Sequence, residues 1–237
     1  MPRTFDRPDP IEVEVRPRPG GPPRAMARLS PRDARAWHAL GGRVATALEP
    51  RLGPEVVANR VLVSRGGWRL ESLEAALRRL EARLEARLED FRASPEDGTG
   101  YLATDVAEFF PSVSPDAAAR ALLAASASPE DATRVAVMLE GWAELGYRGL
   151  PIGPAASAVI ANAVLLAVDG VIGAPFVRWV DDYLVAVGSD RGATEVLERM
   201  DEAMERSGLR RSLPKTRLSR GPGWLGSALG SSLRSSG

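Results

Sequence analysis

Residues 176–187 read Phe176-Val-Arg-Trp-Val-Asp-Asp-Tyr-Leu-Val-Ala-Val187, two short apolar runs pinched around the adjacent acids Asp181 and Asp182. Runs of this length, rich in Val, Leu and aromatic residues, predict buried strands, and the acid pair between them predicts a hairpin turn. Two readings of the pair stand side by side. Aspartate caps nearby backbone groups, so a plain tight turn fits. A buried hairpin seldom carries two carboxylates at its tip by accident, so a functional site fits as well, and the flanking stretches must decide.

Upstream, Tyr101-Leu-Ala-Thr-Asp-Val-Ala-Glu-Phe-Phe-Pro-Ser-Val113 predicts another strand, with one acid, Asp105, amid apolar neighbours. Ser114-Pro-Asp and Ser128-Pro-Glu-Asp open helices running to about residues 125 and 145, each with a serine cap and proline at the first helical position. Gly149-Leu-Pro-Ile-Gly-Pro-Ala-Ala-Ser157 is a Gly- and Pro-rich loop leading into a small-residue helix over 158–168. Past the hairpin, a helix over 193–207 turns Val196, Leu197, Met200 and Met204 inward, and Leu213-Pro-Lys-Thr-Arg-Leu218 supplies a closing strand. This order is α+β: a split βαβ arrangement, an antiparallel sheet with helices on one face. Adjacent strands lie about 4.8 Å apart, so Asp105 and Asp181 can converge above one sheet edge. Successive strand residues point to opposite faces, so Asp181 and Asp182 need a turn if both are to face the same site.

The first hundred residues carry a different pattern. Residues 1–30, rich in Pro, Arg and Gly, predict an arm with one short strand at Ile11-Glu-Val-Glu-Val15. Ser30-Pro-Arg-Asp opens a helix to about residue 48. Val56-Val-Ala-Asn-Arg-Val-Leu-Val63 is apolar and β-branched, and Ser64-Arg-Gly-Gly-Trp-Arg69 turns. Arg60, Arg65 and Arg69 there are candidate phosphate contacts or, equally, solvated surface charges. Residues 71–91 form the clearest helix, with Leu73, Leu77, Leu80, Leu84, Leu88 and Phe91 recurring at steps of four and three. The chain thus divides into an arm (1–30), a mostly helical region (31–100), the acid-bearing region (101–228) and a disordered Gly/Ser tail (229–237).

Composition narrows the chemistry. A 237-residue chain with 44% hydrophobic residues supports a sizeable core. The absence of cysteine excludes disulfides and thiolate sites, and the lone His38 cannot form a histidine metal site or a triad by itself. No apolar run reaches the length of a membrane span, and Met-Pro-Arg-Thr-Phe-Asp lacks a signal-peptide pattern, so a cytoplasmic protein is expected. A zero net charge hides an asymmetry: residues 1–70 hold 13 Arg against 7 acids, 71–206 hold 12 Arg against 24 acids, and 207–237 hold 6 Lys+Arg against none. Basic flanks around an acidic centre fit a nucleic-acid enzyme, because polyanion binding needs local positive surface; a mixed, soluble surface fits the same counts. Carboxylates without His or Cys are hard oxygen ligands suited to Mg²⁺ or Mn²⁺ bound jointly with substrate phosphates. Two such ions about 3.5–4 Å apart stabilise the attacking and leaving oxygens of phosphoryl transfer.

Five stretches, in order, resemble the motifs of reverse transcriptases. Residues 101–113 look like the first palm motif, 149–157 like the second, and Arg178-Trp-Val-Asp-Asp-Tyr-Leu-Val185 like the catalytic Asp-Asp box. Leu213-Pro-Lys-Thr-Arg-Leu218 looks like the lysine motif, and Trp224-Leu-Gly-Ser227 like the primer-grip turn, while Val57-Ala-Asn-Arg-Val61 extends the likeness into the fingers. Any one motif is weak, and the ordered set over residues 100–228 is specific. The resemblance implies a reverse-transcriptase-like palm behind short, mostly helical fingers, acting as an RNA-directed DNA polymerase. Its implied partners are deoxynucleoside triphosphates with an RNA template and a DNA primer, and its implied cofactor is a pair of Mg²⁺ ions, with Mn²⁺ as a substitute. On the same basis Asp105, Asp181 and Asp182 hold the metals with the Val106 carbonyl close by. Phe110 stands where the family places an aromatic gate against a ribose 2′-hydroxyl. Pro151, Ile152, Gly153 and Ser157 lie beside nucleotide and template. Lys215, the only lysine in the chain, lies near the triphosphate.

The chain departs from the family at Ile152, where the common motif has Gln. Ile followed by Gly-Pro-x-x-Ser is similar to bacterial reverse transcriptases of the abortive-infection and unknown-group defence types. Some of these synthesise DNA without a template or from a protein primer, which brings template-independent synthesis and an antiphage role into the expectation. The short stretch beyond Gly226 leaves no room for a thumb, and three alternatives are open: a fragment, a partner chain that supplies thumb function, or an enzyme that makes only short products. Two other readings remain: a palm that binds nucleic acid or a partner as sensor or scaffold without catalysis, and a different palm enzyme such as a nucleotide cyclase. Clustered buried carboxylates are costly without cations and count against the first. The Leu-Pro-Ile-Gly-Pro loop and the Lys-Thr pair, in this order, count against the second.

Overall fold

The computed structural model describes residues 7–18, 21–93 and 100–220. An N-terminal hairpin, β1 (Glu12–Arg18) and β2 (Gly21–Arg28), precedes helix α1 (Pro31–Leu48), and a second hairpin, β3 (Val61–Ser64) and β4 (Gly67–Leu70), precedes α2 (Leu73–Ala93). Then follow β5 (Gly100–Asp105), the one-turn helix α3 (Phe109–Ser112), α4 (Pro115–Ala124), α5 (Pro129–Glu144) and α6 (Ala155–Asp169). Strands β6 (Phe176–Trp179) and β7 (Asp182–Val187), helix α7 (Asp190–Arg206) and β8 (Arg217–Arg220) complete the described chain. The stretch 224–227 and the tail 229–237 lie outside it.

Local chemistry starts α1, α4 and α5 where the sequence predicts, while α6 and α7 begin three residues before the expected 158 and 193. The hydroxyls of Ser30, Ser114, Ser128 and Ser189 accept hydrogen bonds from the backbone N–H three residues on, at 3.0–3.2 Å. Three of these caps are followed by proline, whose fixed φ suits the first helical position.

The central sheet runs in the order β6-β7-β5-β8 with every neighbour antiparallel. One face carries Leu102, Tyr183, Val185 and Val187 into the main core with α1, α4, α5, α6 and α7. The expected one-sided cover is corrected here: Tyr101, Val177 and Trp179 point the other way and form a second cluster with Ala76, Leu80 and Leu84 of α2. Buried residues on both faces of β5 follow directly, since alternate strand residues face opposite sides. Within α2 the periodic stripe is trimmed, because Leu73 is exposed.

Three other expectations change. Strands β1 and β2 form a two-stranded hairpin where the sequence predicts an arm with one strand, since Pro22 and Pro23 are tolerated in a two-stranded edge. Only Val61–Ser64 of the 56–63 run is a strand, and Arg69 lies within β4, not in the turn. Residues 55–57 instead lie along β6: the Arg178 N–H donates to the Glu55 carbonyl at 2.8 Å, and the Val57 N–H donates to the Arg178 carbonyl at 3.1 Å.

Helix α1 packs closely on α6, where a Cβ placed on Gly41 would lie 2.5 Å from the Ala156 Cβ. A side chain there must push the two helices apart. Gly41→Val is expected to lower stability by about 1–3 kcal/mol, the usual range for overpacking, read as a lower denaturant midpoint.

Candidate active site

The hairpin joining β6 to β7 is as tight as it can be. Trp179 and Asp182 are register partners, so Val180 and Asp181 alone make the turn. Val180 sits at φ 57°, a left-handed conformation that a β-branched residue rarely adopts. Something must hold it there, and Arg178 does. Its guanidinium is 0% exposed and forks onto Asp169, Nε to Oδ1 at 2.8 Å and Nη2 to Oδ2 at 2.7 Å. Its Nη1 donates to Asn162 Oδ1 at 2.8 Å and to the Val180 carbonyl at 2.9 Å, fixing the turn itself. The Tyr183 hydroxyl donates to Asp169 Oδ1 at 2.9 Å. Burial and then the Asp169 charge push the phenol well above its ordinary range, so it remains a donor. Burial opposes the charge on Arg178, but the charge and hydrogen bond of Asp169, with the charges of Tyr183 and Asp181, together reverse this and the pKa rises.

The register places Asp105 directly opposite Asp182 in the β5–β7 ladder, with Asp181 one residue earlier in the turn. Like charges opposite each other repel, so the arrangement calls for cations. Lys215 supplies one: its Nζ donates to Asp105 Oδ2. The lysine is positioned by backbone, since the Ser212 N–H donates to the Asp105 carbonyl at 2.9 Å and the Ala107 N–H to the Arg210 carbonyl at 2.8 Å. A bidentate pair from Arg211 to Asp201, both contacts at 2.8 Å, anchors the same segment to α7. Burial alone would lower the Lys215 pKa; its bond to Asp105 and the charges of Asp105, Asp182 and Asp181 reverse this and raise it. Asp105 is 2% exposed, and its second oxygen, Oδ1, is buried with no hydrogen-bond partner. An orphaned carboxylate oxygen beside two further acids is a donor set that fits a divalent cation. Among the described residues no group of three or more His, Cys, Asp or Glu side chains is placed to hold a metal ion as it stands.

Other predicted residues divide into those near this frame and those apart from it. Val106 follows Asp105, is buried, and bridges to Arg211. Phe109 packs in the core and Phe110 stacks edge-on against it at 5.5 Å, half-buried. The Leu150 N–H donates to the Phe110 carbonyl at 2.8 Å, and Gly149 at φ 77° allows this approach, which brings Phe110 to the 149–153 loop. Pro151 is buried, Ile152 half-buried and Gly153 exposed. Ser157 lies inside α6, is 0% exposed, and accepts the Trp37 indole N–H at 3.0 Å. Arg60 is tied to Glu49 and to the Gly53 carbonyl. Arg65 and Arg69 stand exposed on the β3–β4 hairpin, which is anchored on α1 where the Trp68 indole N–H donates to the His38 carbonyl at 3.0 Å. Neither makes an ion pair among the described residues. Asn162 and Asp169 were missed, although two polar residues seven apart on an apolar helix share one face and signal a buried partner.

This frame, an antiparallel sheet with an acid pair at a hairpin and a third acid on the next strand, is that of a reverse-transcriptase-like fold. The chain is similar to telomerase, a reverse-transcriptase-family enzyme, from two yeasts. Apo telomerase of Candida tropicalis superposes with a TM-score of 0.58 at 10% identity, over 93% of this chain and 45% of that one. A C-terminally truncated form gives 0.57 at 11%, over 89% and 50%. Candida albicans telomerase in complex with a TWJ fragment of telomeric RNA gives 0.56 at 12%, over 93% and 43%. At such identities the likeness is one of fold, and the chain spans half or less of those chains. No family model and no curated protein matches the sequence. Among the described residues no helix is long and apolar enough to cross a membrane.

Three outcomes follow from the electrostatics. Asp169→Asn leaves the Arg178 charge buried without its counter-ion and is expected to cost about 3–5 kcal/mol in denaturant unfolding. Tyr183→Phe removes one hydrogen bond and is expected to cost about 1 kcal/mol. For Asp181, burial raises the carboxyl pKa above 3.8 and the Asp105 charge adds to this; its own backbone N–H, Lys215 and Arg24 pull downward. The folded protein therefore holds that proton more tightly than the unfolded chain, and the group lowers stability as pH climbs above 3.8. Asp181→Asn is expected to melt above wild type at pH 7, with the gap closing as pH falls below 3.8. A variant that melts below wild type at pH 7 contradicts this.

Proposed function

We propose that the chain is a reverse-transcriptase-like nucleotidyltransferase that joins deoxynucleotides to a 3′-hydroxyl. The observation that carries this reading is the buried, unpartnered Oδ1 of Asp105, set opposite Asp182 on a telomerase-like fold. Asp105, Asp181 and Asp182 are the residues that would hold Mg²⁺ or Mn²⁺, which supplies Lewis-acid stabilisation of the phosphoryl oxygens when bound. Lys215, raised in pKa and two-thirds exposed, stays protonated and offers a cation, or a proton, to the departing pyrophosphate. Phe110 and the loop at Pro151, Ile152 and Gly153 form the proposed nucleotide wall. Arg178 and Asp169 act through the turn they fix.

Nucleic acid is the proposed partner. The RNA bound by the Candida albicans relative supports RNA, as do the arginines of the first 70 residues. The antiphage role and synthesis without a template rest on the sequence resemblance at Ile152, and a partner chain supplying a thumb rests on the family pattern.

The test is labelled-nucleotide incorporation by wild type and Asp181→Asn, given a primed RNA template, a primed DNA template or neither, with Mg²⁺ or Mn²⁺. Wild type is expected to incorporate and the variant to fall by at least about 100-fold. In parallel, Mn²⁺ at ten times its Kd is expected to stabilise wild type by roughly 1.4 kcal/mol and Asp105→Asn much less. Absence of both effects leaves the scaffold reading in place of this one.

A further inference from the structure

The N-terminal hairpin has one edge in use and one open. On β2, the Ala27 N–H leaves the hairpin and donates to the Ile152 carbonyl at 2.8 Å. Strand β1 pairs with β2 alone among the described residues, so its outer edge is open. The spent Ala27 N–H also fixes which groups face that edge. Ala27 is the register partner of Val13, so this pair exchanges no hydrogen bonds, and by alternation neither do Val15 and Ala25. Val13 and Val15 therefore aim their backbone N–H and C=O groups away from β2. Their side chains are uncovered as well, 54% and 66% exposed. An unpaired edge that bears exposed valines is a template for another strand.

The sequence of β1 is its own complement about Val15. Two identical strands paired antiparallel are related by a two-fold axis, so the residue at the axis meets itself and its neighbours meet crosswise. With Val15 at the axis, each Glu14 stands opposite the Arg16 of the second copy, and the two valines exchange a pair of N–H···O=C bonds. Centring the pair on Glu14 or on Arg16 instead sets two like charges face to face, which is unfavourable. Within one chain Arg16 meets Glu14 at 3.0 Å, with both side chains more than half exposed. An exposed pair of this kind contributes little, so exchanging it for the crosswise pairs loses little.

We propose that the open β1 edge joins two copies of this chain, making a continuous antiparallel sheet in the order β2-β1-β1-β2 with Val15 on the two-fold axis. An interface of one strand pair is small, so the dimer is a weak one that forms and separates with concentration.

Sedimentation velocity of the full chain, from about 1 to 200 µM, is measured for wild type, Glu14→Arg, Arg16→Glu and the double exchange Glu14→Arg/Arg16→Glu. Wild type is expected to pass from monomer to dimer across this range. Each single exchange sets like charges opposite at both crosswise positions and is expected to weaken association roughly 10-fold or more. The double exchange restores complementarity and is expected to return to within about threefold of wild type. A wild type that stays monomeric throughout overturns the proposal. So do assembly beyond a dimer, a dimer indifferent to the single exchanges, and a double exchange that fails to recover association.

Discussion

A charge with no access to water sits beneath the acid pair, and the surrounding structure is arranged to satisfy it. Arg178 donates to Asp169 and Asn162 of α6 and to the Val180 carbonyl, while its own backbone pairs with residues 55 and 57. One residue therefore ties together a helix, a turn and the segment that precedes the β3–β4 hairpin. A buried ion pair of this kind is a weak source of net stability, because desolvation offsets its attraction. Its value lies in geometry: it makes a strained valine turn the only well-satisfied arrangement, and the turn carries Asp181.

The acids above it face the opposite problem. Asp105 and Asp182 oppose each other, Asp181 is pushed toward its neutral form by burial, and Lys215 neutralises one oxygen of one of them. Held in the sheet, these groups cannot relax apart. The site is thus a region where repulsion and desolvation are kept in place by the packing of the rest, which is the usual relation between stability and a charged centre. Lys215 suits this position better than the arginine used elsewhere in the chain, since a compact ammonium fits beside one carboxylate oxygen without a second acceptor.

Much of this was legible in the sequence. Serine caps with following prolines marked helix starts within a residue or two, and the two apolar runs around Asp181 and Asp182 gave the hairpin. The pairing of Asp105 with Asp182, not Asp181, was not legible, because it depends on a turn of only two residues and hence on the strained φ of Val180. Asn162 and Asp169 looked like ordinary members of a small-residue helix until Arg178 was seen to lie on their face. Ser157 looked like part of a glycine loop because nothing local revealed that α6 begins at Ala155. Tertiary contacts decided each of these, and local composition carried the others.

The N-terminal hairpin shows why the remainder was hidden. Its strands alternate arginine and glutamate with valine and alanine, a pattern without a strong apolar face, and Val13 and Val15 stay exposed. Such a ribbon gains little from hydrophobic burial, so its place comes from elsewhere: a backbone bond to Ile152 and Met26 over Gly153. Two-stranded ribbons are marginal on their own. This one is held by the loop it covers, and the loop is held in turn by Phe110, the residue next to the core-packed Phe109. The basic N-terminal segment and the acidic centre, read separately, gave opposite charge signals. In the fold the basic segment meets the loop before α6 through the Ala27–Ile152 backbone bond, and their separation in sequence is the reason neither alone pointed to the other.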